Sequence, residues 1–310
     1  MKPIMRRYGD EEDYWRIRGF LREVMLLNGR RERSWHVCRF DYWRWHGVEN
    51  LGHGRLEEDV FIWEKPDGGI AAVLNREGPG NAFLQVHPGT RTPELEEEMI
   101  TVAEEHLAHS DEEGRRRLAV WADEDDELRR DILRRRGYAV NGAPEYKRRR
   151  QLSAPIPEAP IAEGYEVRPL GGVEELSSRS YASWTSFHPG APDEEYEGWE
   201  WYLNIQRAPI YRRDLDVVAI APGGEIASFC TIWFDDVTRT AYFEPVGTAS
   251  AHQRRGLARA VMCEGLRRLK RVGGTRAFVG SYVPAAHALY ASVGFREYDL
   301  FEPWVKEIKQ

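Results

Sequence analysis

The sequence predicts an α/β protein of the α+β type: two similar domains in tandem, each a mixed, mostly antiparallel sheet flanked by helices. Three observations lead there. The chain has 310 residues, about twice the ~150-residue prior for one domain. A proline-rich stretch, Ser153-Ala-Pro-Ile-Pro-Glu-Ala-Pro160, interrupts it near the middle, and clustered prolines favour an extended connector. The pattern after that stretch repeats the pattern before it at an offset of about 157 residues, which internal duplication explains most simply. The division places one domain at 1–152, a linker at 153–163 and a second domain at 164–310. The basic run Lys147–Arg150 just before the linker reads as a solvated strand end.

In the first half, Asp59–Trp63 and Ile70–Leu74 flank the turn Pro66-Asp-Gly-Gly69 and read as a hairpin. Ala82–Val86 supplies the next strand. Leu95, Met99, Val102, Ala103 and Leu107 then recur at helical spacing. Arg117–Trp121 is a strand, and Asp126–Arg136 a helix stopped by Gly137. In the second half, Tyr165–Leu170 alternates as a strand, and a helical pattern opens at Gly172 and runs through Tyr181 and Trp184. Val217–Ala221 and Glu225–Phe234 form a hairpin around Pro222-Gly-Gly224. Thr240–Thr248 is a third strand, in which Pro245 and Gly247 imply a bulge or an edge, since proline cannot donate to a ladder. Leu257, Val261, Met262, Leu266 and Leu269 form a helical stripe stopped by Gly273-Gly274. Ala277–Gly280 is a buried strand, Pro284 opens a helix through Val293, and Gly294 caps it.

Bulk composition narrows the function class. At 42% hydrophobic and 31% charged the chain is too apolar for disorder. A net charge of −7 disfavours a nucleic-acid partner, which needs charge neutralisation. Three scattered cysteines, Cys38, Cys230 and Cys263, fit a reducing compartment, so a cytoplasmic location is expected. The first residues hold no signal-peptide apolar region. The uncharged stretch Ala277–Phe295 is broken by Gly280, Pro284 and Gly294, so no membrane association is expected.

The most informative segment is Gln253-Arg-Arg-Gly-Leu-Ala258, between a strand and a long helix. The first amides of a helix lack intrahelical partners and sit at the positive end of its dipole, a natural place for phosphate. Gly256 lets backbone approach closely, Leu257 and the small Ala258 open the first turn, and Arg254, Arg255 and Arg259 add charge. From Gln253 to Arg276 there are eight Arg or Lys and one acid, Glu264. Neither a dinucleotide-fold glycine fingerprint nor a P-loop is present. About 32 residues after Gly256 comes Ala288-Leu-Tyr-Ala-Ser-Val-Gly-Phe295.

With these residues the second half resembles the GNAT superfamily of acyl-CoA N-acetyltransferases. Gln253, Gly256 and Ala258 match the family's Q/R-x-x-G-x-G/A pyrophosphate signature, and Leu289, Tyr290, Gly294 and Phe295 its later L-Y-x-x-x-G-F segment. One departure is Val283, where the family often has asparagine. The resemblance implies acetyl-CoA as cosubstrate, held by backbone groups of Val246 and Thr248, with the Val246 amide polarising the thioester carbonyl. It also implies a base for the acceptor amine, whose free pKa is near ~10. Glu244, two residues before Val246 and so expected on a like-facing position, is the candidate base. Tyr290 is the candidate acid for the departing thiolate. The bland readings are a solvated strand carboxylate and a core tyrosine with a satisfied hydroxyl.

At the same offset the first half has Glu96-Glu-Glu-Met99 in place of the glycine loop and Leu133 in place of Tyr290, so it is expected to be degenerate. This layout is similar to that of mycothiol synthase-like tandem GNAT proteins. The expected activity is transfer of an acetyl group to a primary amine of a small molecule by direct attack, without a metal, in a monomer or homodimer. The alternatives are a non-catalytic acyl-CoA-binding or interaction protein and a protein N-acetyltransferase. Aromatic residues from Trp184 to Tyr202, interleaved with acids such as Asp193 and Glu197, would either fill a core or hold a cationic acceptor. His188, before Pro189, reads as a loop hydrogen bonder or a proton relay. The cluster Trp35, His36, Tyr42, Trp43, Trp45 and His46 reads as core or groove lining in the first domain.

Overall fold

The computed structural model describes residues 2–308. Two compact units emerge, Met1–Lys147 with Asp299–Gln310, and Arg148–Tyr298. In the first unit, β1 (Ile4–Arg7) leads to α1 (Glu11–Leu27), which starts at Asp10, whose carboxylate accepts from the Glu12 amide. A short α2 (Val37–Tyr42) follows, then β2 (Val60–Glu64), β3 (Ile70–Asn75) and β4 (Asn81–Val86). These strands form an antiparallel meander, β1–β2–β3–β4. The crossover α3 (Pro93–His106) then delivers β5 (Arg116–Asp123) parallel to β4 at Asn81 and Ala82. Helix α4 (Glu127–Arg135) opens on Asp126, which caps the Arg129 amide. Leu95, Met99, Ile100 and Ala103 of α3 and Ile132 and Leu133 of α4 pack on Phe61, Trp63 and Leu74 of the sheet.

The strand β6 (Glu145–Gln151) carries the chain across residue 147, where the first unit gives way to the second. Lys147, Arg148 and Arg150 within it are buried, at 4%, 6% and 4% exposure. The expectation of a solvated basic run is therefore overturned, because these heads find fixed acceptors. Arg148 donates to Ser281 Oγ and the Phe295 carbonyl, and Arg150 to the carbonyls of Val293, Ala154 and Pro155.

The second unit follows the same plan with β7 (Glu166–Pro169), α5 (Leu176–Phe187), a short α6 (Trp201–Gln206), β8 (Asp216–Ile220), β9 (Ile226–Asp235) and β10 (Thr240–Thr248). The antiparallel order is β7–β8–β9–β10. Helix α7 (Leu257–Arg271) crosses over to β11 (Arg276–Ser281), parallel to β10, and α8 (Pro284–Ser292) ends at Gly294, with φ 95°. The apolar stripe of α7, Leu257, Val261, Leu266 and Leu269, packs on Cys230, Ile232 and Phe243. The last strand, β12 (Glu297–Glu307), pairs along Phe301–Glu307 with β5, and Trp304 enters the first unit's core. A cut by sequence position assigns this strand to the second half, whereas its hydrogen bonds assign Asp299 onward to the first unit.

Candidate active site

Strand β10 is paired on both sides only at its start. Thr240–Tyr242 run parallel to Arg276–Phe278, and among the described residues no pairing joins β10 to β11 from Phe243 onward. On its other side β10 stays bound to β9 through Thr248, with one irregularity: Ile232 faces Phe243 and Cys230 faces Val246, so Thr231 is opposed by both Glu244 and Pro245. This is the bulge that Pro245 implies. It corrects one expectation. Phe243 and Val246, three residues apart, both pack into the core that contains Cys230 and Ile232. Glu244 therefore lies on the opposite face, with Thr231, and does not share the facing of Val246, because the extra residue breaks the two-residue alternation.

The ladder also fixes which backbone groups stay unpaired. The Ala249 amide donates to the Ala227 carbonyl at 2.9 Å. Hydrogen-bonded pairs alternate in an antiparallel ladder, so Gly247 exchanges bonds with Phe229 while Val246 and Thr248 turn their amides and carbonyls to the open edge. Gln253 Nε2 reaches the Thr248 carbonyl at 3.4 Å. The Phe229 ring covers Gly247, where a Cβ would come within 2.3 Å of it.

At the end of β10 the chain turns into α7. Arg254 and Gly256 both have left-handed backbone, at φ 61° and 76°. A Cβ on Gly256 would meet no protein atom, so conformation rather than crowding calls for glycine here. No side chain caps α7, which leaves the amides of Leu257, Ala258 and Arg259 for an external acceptor. Gln253, Arg254, Arg255 and Gly256 are exposed, Leu257 is buried, and Ala258 and Arg259 are half-buried. Among the described residues Arg254 and Arg255 form no ion pair, so their charge stays free for a ligand.

Tyr290 enters from α8 into the core beside Cys230 and Phe295, at 8% exposure. Burial, with smaller contributions from Cys230 and Glu244, pushes its phenol well above the usual range, so it stays protonated. Among the described residues no hydrogen bond reaches its hydroxyl, in contrast to a core tyrosine with a satisfied hydroxyl. Val283, at the N-cap of α8, is extended, 55% exposed and makes no side-chain cap.

Behind the bulge lies a buried polar cluster that sequence reasoning missed. Asp216 is fully buried and accepts from Tyr202 at 2.5 Å, and from Tyr211 and Thr231 at 3.0 Å each. Arg179 donates to Thr231 Oγ1 at 3.1 Å, and its guanidinium lies 3.7 Å from the centre of the Phe229 ring. The Trp233 indole donates to the Glu244 carbonyl, and its ring meets Tyr211 edge-on. Tyr202 is thus a core residue. Tyr181, Trp184 and Tyr196 form an outer cluster, in which the Tyr181 hydroxyl donates to Asp193. His188 is exposed, ends α5 and stacks on Trp184 at 3.9 Å, the loop role of its two readings.

Comparisons with known proteins agree with this geometry. Residues 174–295 match the Acetyltransferase (GNAT) family. A GCN5-related N-acetyltransferase from Sphaerobacter thermophilus superposes with a TM-score of 0.66 at 17% identity, covering 99% of this chain and 96% of that one. A tandem GNAT protein from the clavulanic acid biosynthesis pathway gives 0.66 at 15% identity, with 99% and 98% covered. The chain has the fold of tandem GNAT proteins, and the GNAT family match falls within its second unit. A GNAT-family acetyltransferase from Colwellia psychrerythraea gives 0.61 at 11% identity, with 98% and 100% covered. No curated protein sequence matches the chain.

The first unit is built differently at the corresponding place. The fixed offset puts the counterpart of the glycine loop at Glu96–Met99, but those residues lie inside α3, and the N-cap that corresponds to Gly256 is Thr92. The loop lengths differ between the copies, so a constant offset fails there. Thr92 Oγ1 caps the Leu95 amide at 3.2 Å. Glu96, fully buried one turn on, is held by Arg91 and Arg129, whose charges keep its carboxyl below the usual range against the cost of burial. This helix start is already capped and ion-paired. Leu133 of α4 corresponds to Tyr290 and is buried and apolar. Trp35, His36 and Trp43 fill the first unit's interior.

Among the described residues no helix is long and apolar enough to cross a membrane, and no group of three His, Cys, Asp or Glu is arranged to hold a metal.

Proposed function

We propose that the second unit transfers an acetyl group from acetyl-CoA to a primary amine of a small molecule. The observation that carries this reading is the open edge of β10, at Val246 and Thr248, running into the uncapped start of α7 with Arg254 and Arg255 free. The edge pairs with the pantetheine arm as a further strand would, and the pyrophosphate rests on the amides from Arg254 to Arg259, with Gln253 at the rim. The donor set fits: amides and guanidinium groups for phosphate oxygens, and backbone amides for the arm.

In this reading Glu244, on the α5 side of the strand, takes a proton from the acceptor ammonium, directly or through a water. The neutral amine then attacks the thioester carbonyl, whose oxygen gathers charge against the Val246 amide. The carbon–sulfur bond breaks as the amide forms, Tyr290, approaching from the α8 side, gives its proton to the sulfur, and the second proton shed by the amide nitrogen passes to solvent, from which Tyr290 regains its own. Base and acid thus stand on opposite faces of one strand, on either side of the bond that is exchanged.

The test is thiol release from acetyl-CoA with a panel of small amines, together with direct measurement of CoA binding. The wild type is expected to bind CoA and to release thiol in an amine-dependent way. Glu244→Gln and Tyr290→Phe are each expected to lower turnover by roughly 10²–10⁴-fold, as loss of acid–base groups does, with CoA affinity retained. Tight CoA binding with no amine-dependent release would leave a non-catalytic acyl-CoA-binding protein, and no CoA binding would refute both readings.

A further inference from the structure

A small cavity of about 10 Å³ in the first unit is lined by Glu32, Trp35, Arg39, Phe83, Lys147 and Phe301. Arg33, Ser34 and Arg129 line both this cavity and an open cleft of about 380 Å³. Glu32 is 4% exposed, and neither of its carboxylate oxygens has a hydrogen-bond partner. The Trp35 indole N–H is likewise buried without one. A bare buried carboxylate is among the costliest arrangements a fold can hold, so this one calls for a complement.

Charge decides what that complement is. Lys147 bonds the main-chain carbonyl of Glu32 at 2.6 Å, but its ion pair is with Asp123. Arg33 is paired with Asp125, and with Asp123 at 3.4 Å. Arg39 is shared between Glu77 and Glu145, and Arg129 belongs to Glu96. Every cation facing the cavity already has a carboxylate, and Glu32 is the acid left over. A water molecule fits the volume and answers the hydrogen bonds, but gives Glu32, once ionised, no counter-charge. An ammonium group of the same size donates to the Glu32 carboxylate and balances its charge, within walls that include the aromatic rings of Trp35, Phe83 and Phe301.

We propose that the first unit binds a small primary amine, its ammonium group beside Glu32 and its remaining atoms directed past Ser34 into the cleft. The site recognises the amine as a cation, so an N-acetylated derivative, which carries no charge, is excluded. Without a ligand, burial pushes Glu32 up to about 8, offset in part by Lys147 and Arg39 and reinforced by Glu145 and Asp123. At neutral pH the carboxyl then holds a proton, and an arriving ammonium displaces it.

The experiment is titration calorimetry of the full chain with methylammonium chloride against potassium chloride. It is run at pH 7 in two buffers of different ionisation enthalpy. One saturable site is expected, with close to one proton released per amine bound. Apparent affinity is expected to rise about tenfold per pH unit from 6 towards 8, and to fall at least tenfold in Glu32→Gln, checked for folding by circular dichroism. The proton count on the wild type is a second measurement that stands even if that variant misfolds. No saturable binding, binding without proton release, or undiminished binding to folded Glu32→Gln would each overturn the proposal.

Discussion

The Trp233 indole N–H is bonded to the main-chain carbonyl of Glu244, at the bulge where β10 turns the Glu244 carboxylate away from the core. The same ring leans on Tyr211, whose hydroxyl is bonded to buried Asp216. The base proposed for the acceptor amine is thus tethered through its backbone as well as through its strand. Trp233→Phe keeps most of the packing and deletes the tether. Turnover is expected to fall roughly tenfold to a hundredfold, as small misplacements of a reacting group do, with CoA affinity within about twofold. Equal losses of turnover and CoA binding would point to general damage instead.

Gly247→Ala tests the closeness of Phe229. The added methyl would sit 2.3 Å from a ring held beneath the Arg179 guanidinium, so the ring has little room to retreat. Overpacking of this kind costs about 1–3 kcal/mol, read as a lowered midpoint in urea unfolding. An unchanged midpoint would show that the ring swings aside.

The loop at the start of α7 separates conformation from charge. Gly256→Ala forces a side chain into left-handed backbone, a strain of about 1–2 kcal/mol. Arg254→Ala and Arg255→Ala leave the backbone as it is, and each is expected to weaken CoA binding about tenfold, the range of a charge-assisted hydrogen bond. The arginine variants should also lose part of the salt dependence of binding, whereas Gly256→Ala should keep it.

Glu32 predicts a pH dependence of stability. Its folded-state pKa, about 8, lies above the ordinary glutamate value of 4.5. The native state therefore holds a proton that the unfolded chain releases between those limits. Its contribution to stability is full below about pH 4.5 and is lost as pH rises towards 8. Thermal unfolding from pH 5 to 8 should show the wild type losing stability relative to Glu32→Gln. Parallel curves for the two would show that Glu32 is ionised throughout.

The sequence by itself determined the repeated plan, the strand Thr240–Thr248 within its observed bounds, and the helix start at Gly256. These are local matters: alternation, helical spacing, and glycine and proline at positions that only they tolerate. Even α1 carries a local signal, since Asp10 is followed by Tyr14, Ile17, Leu21 and Val24 at helical spacing. The tertiary structure decided what depends on partners distant in the chain. The bulge at Glu244 is a matter of register against β9, and it reversed the facing inferred from counting by two. Asp216 gains its role from Tyr202, Tyr211 and Thr231, which approach from a helix, the loop after it and another strand. Lys147, Arg148 and Arg150 look solvated in a list of residues and are buried because carbonyls and carboxylates wait for them. Glu32 is one acid among many until folding surrounds it with cations that are already paired. Sequence pattern records what each segment needs for itself, and burial and charge balance exist only once the segments meet.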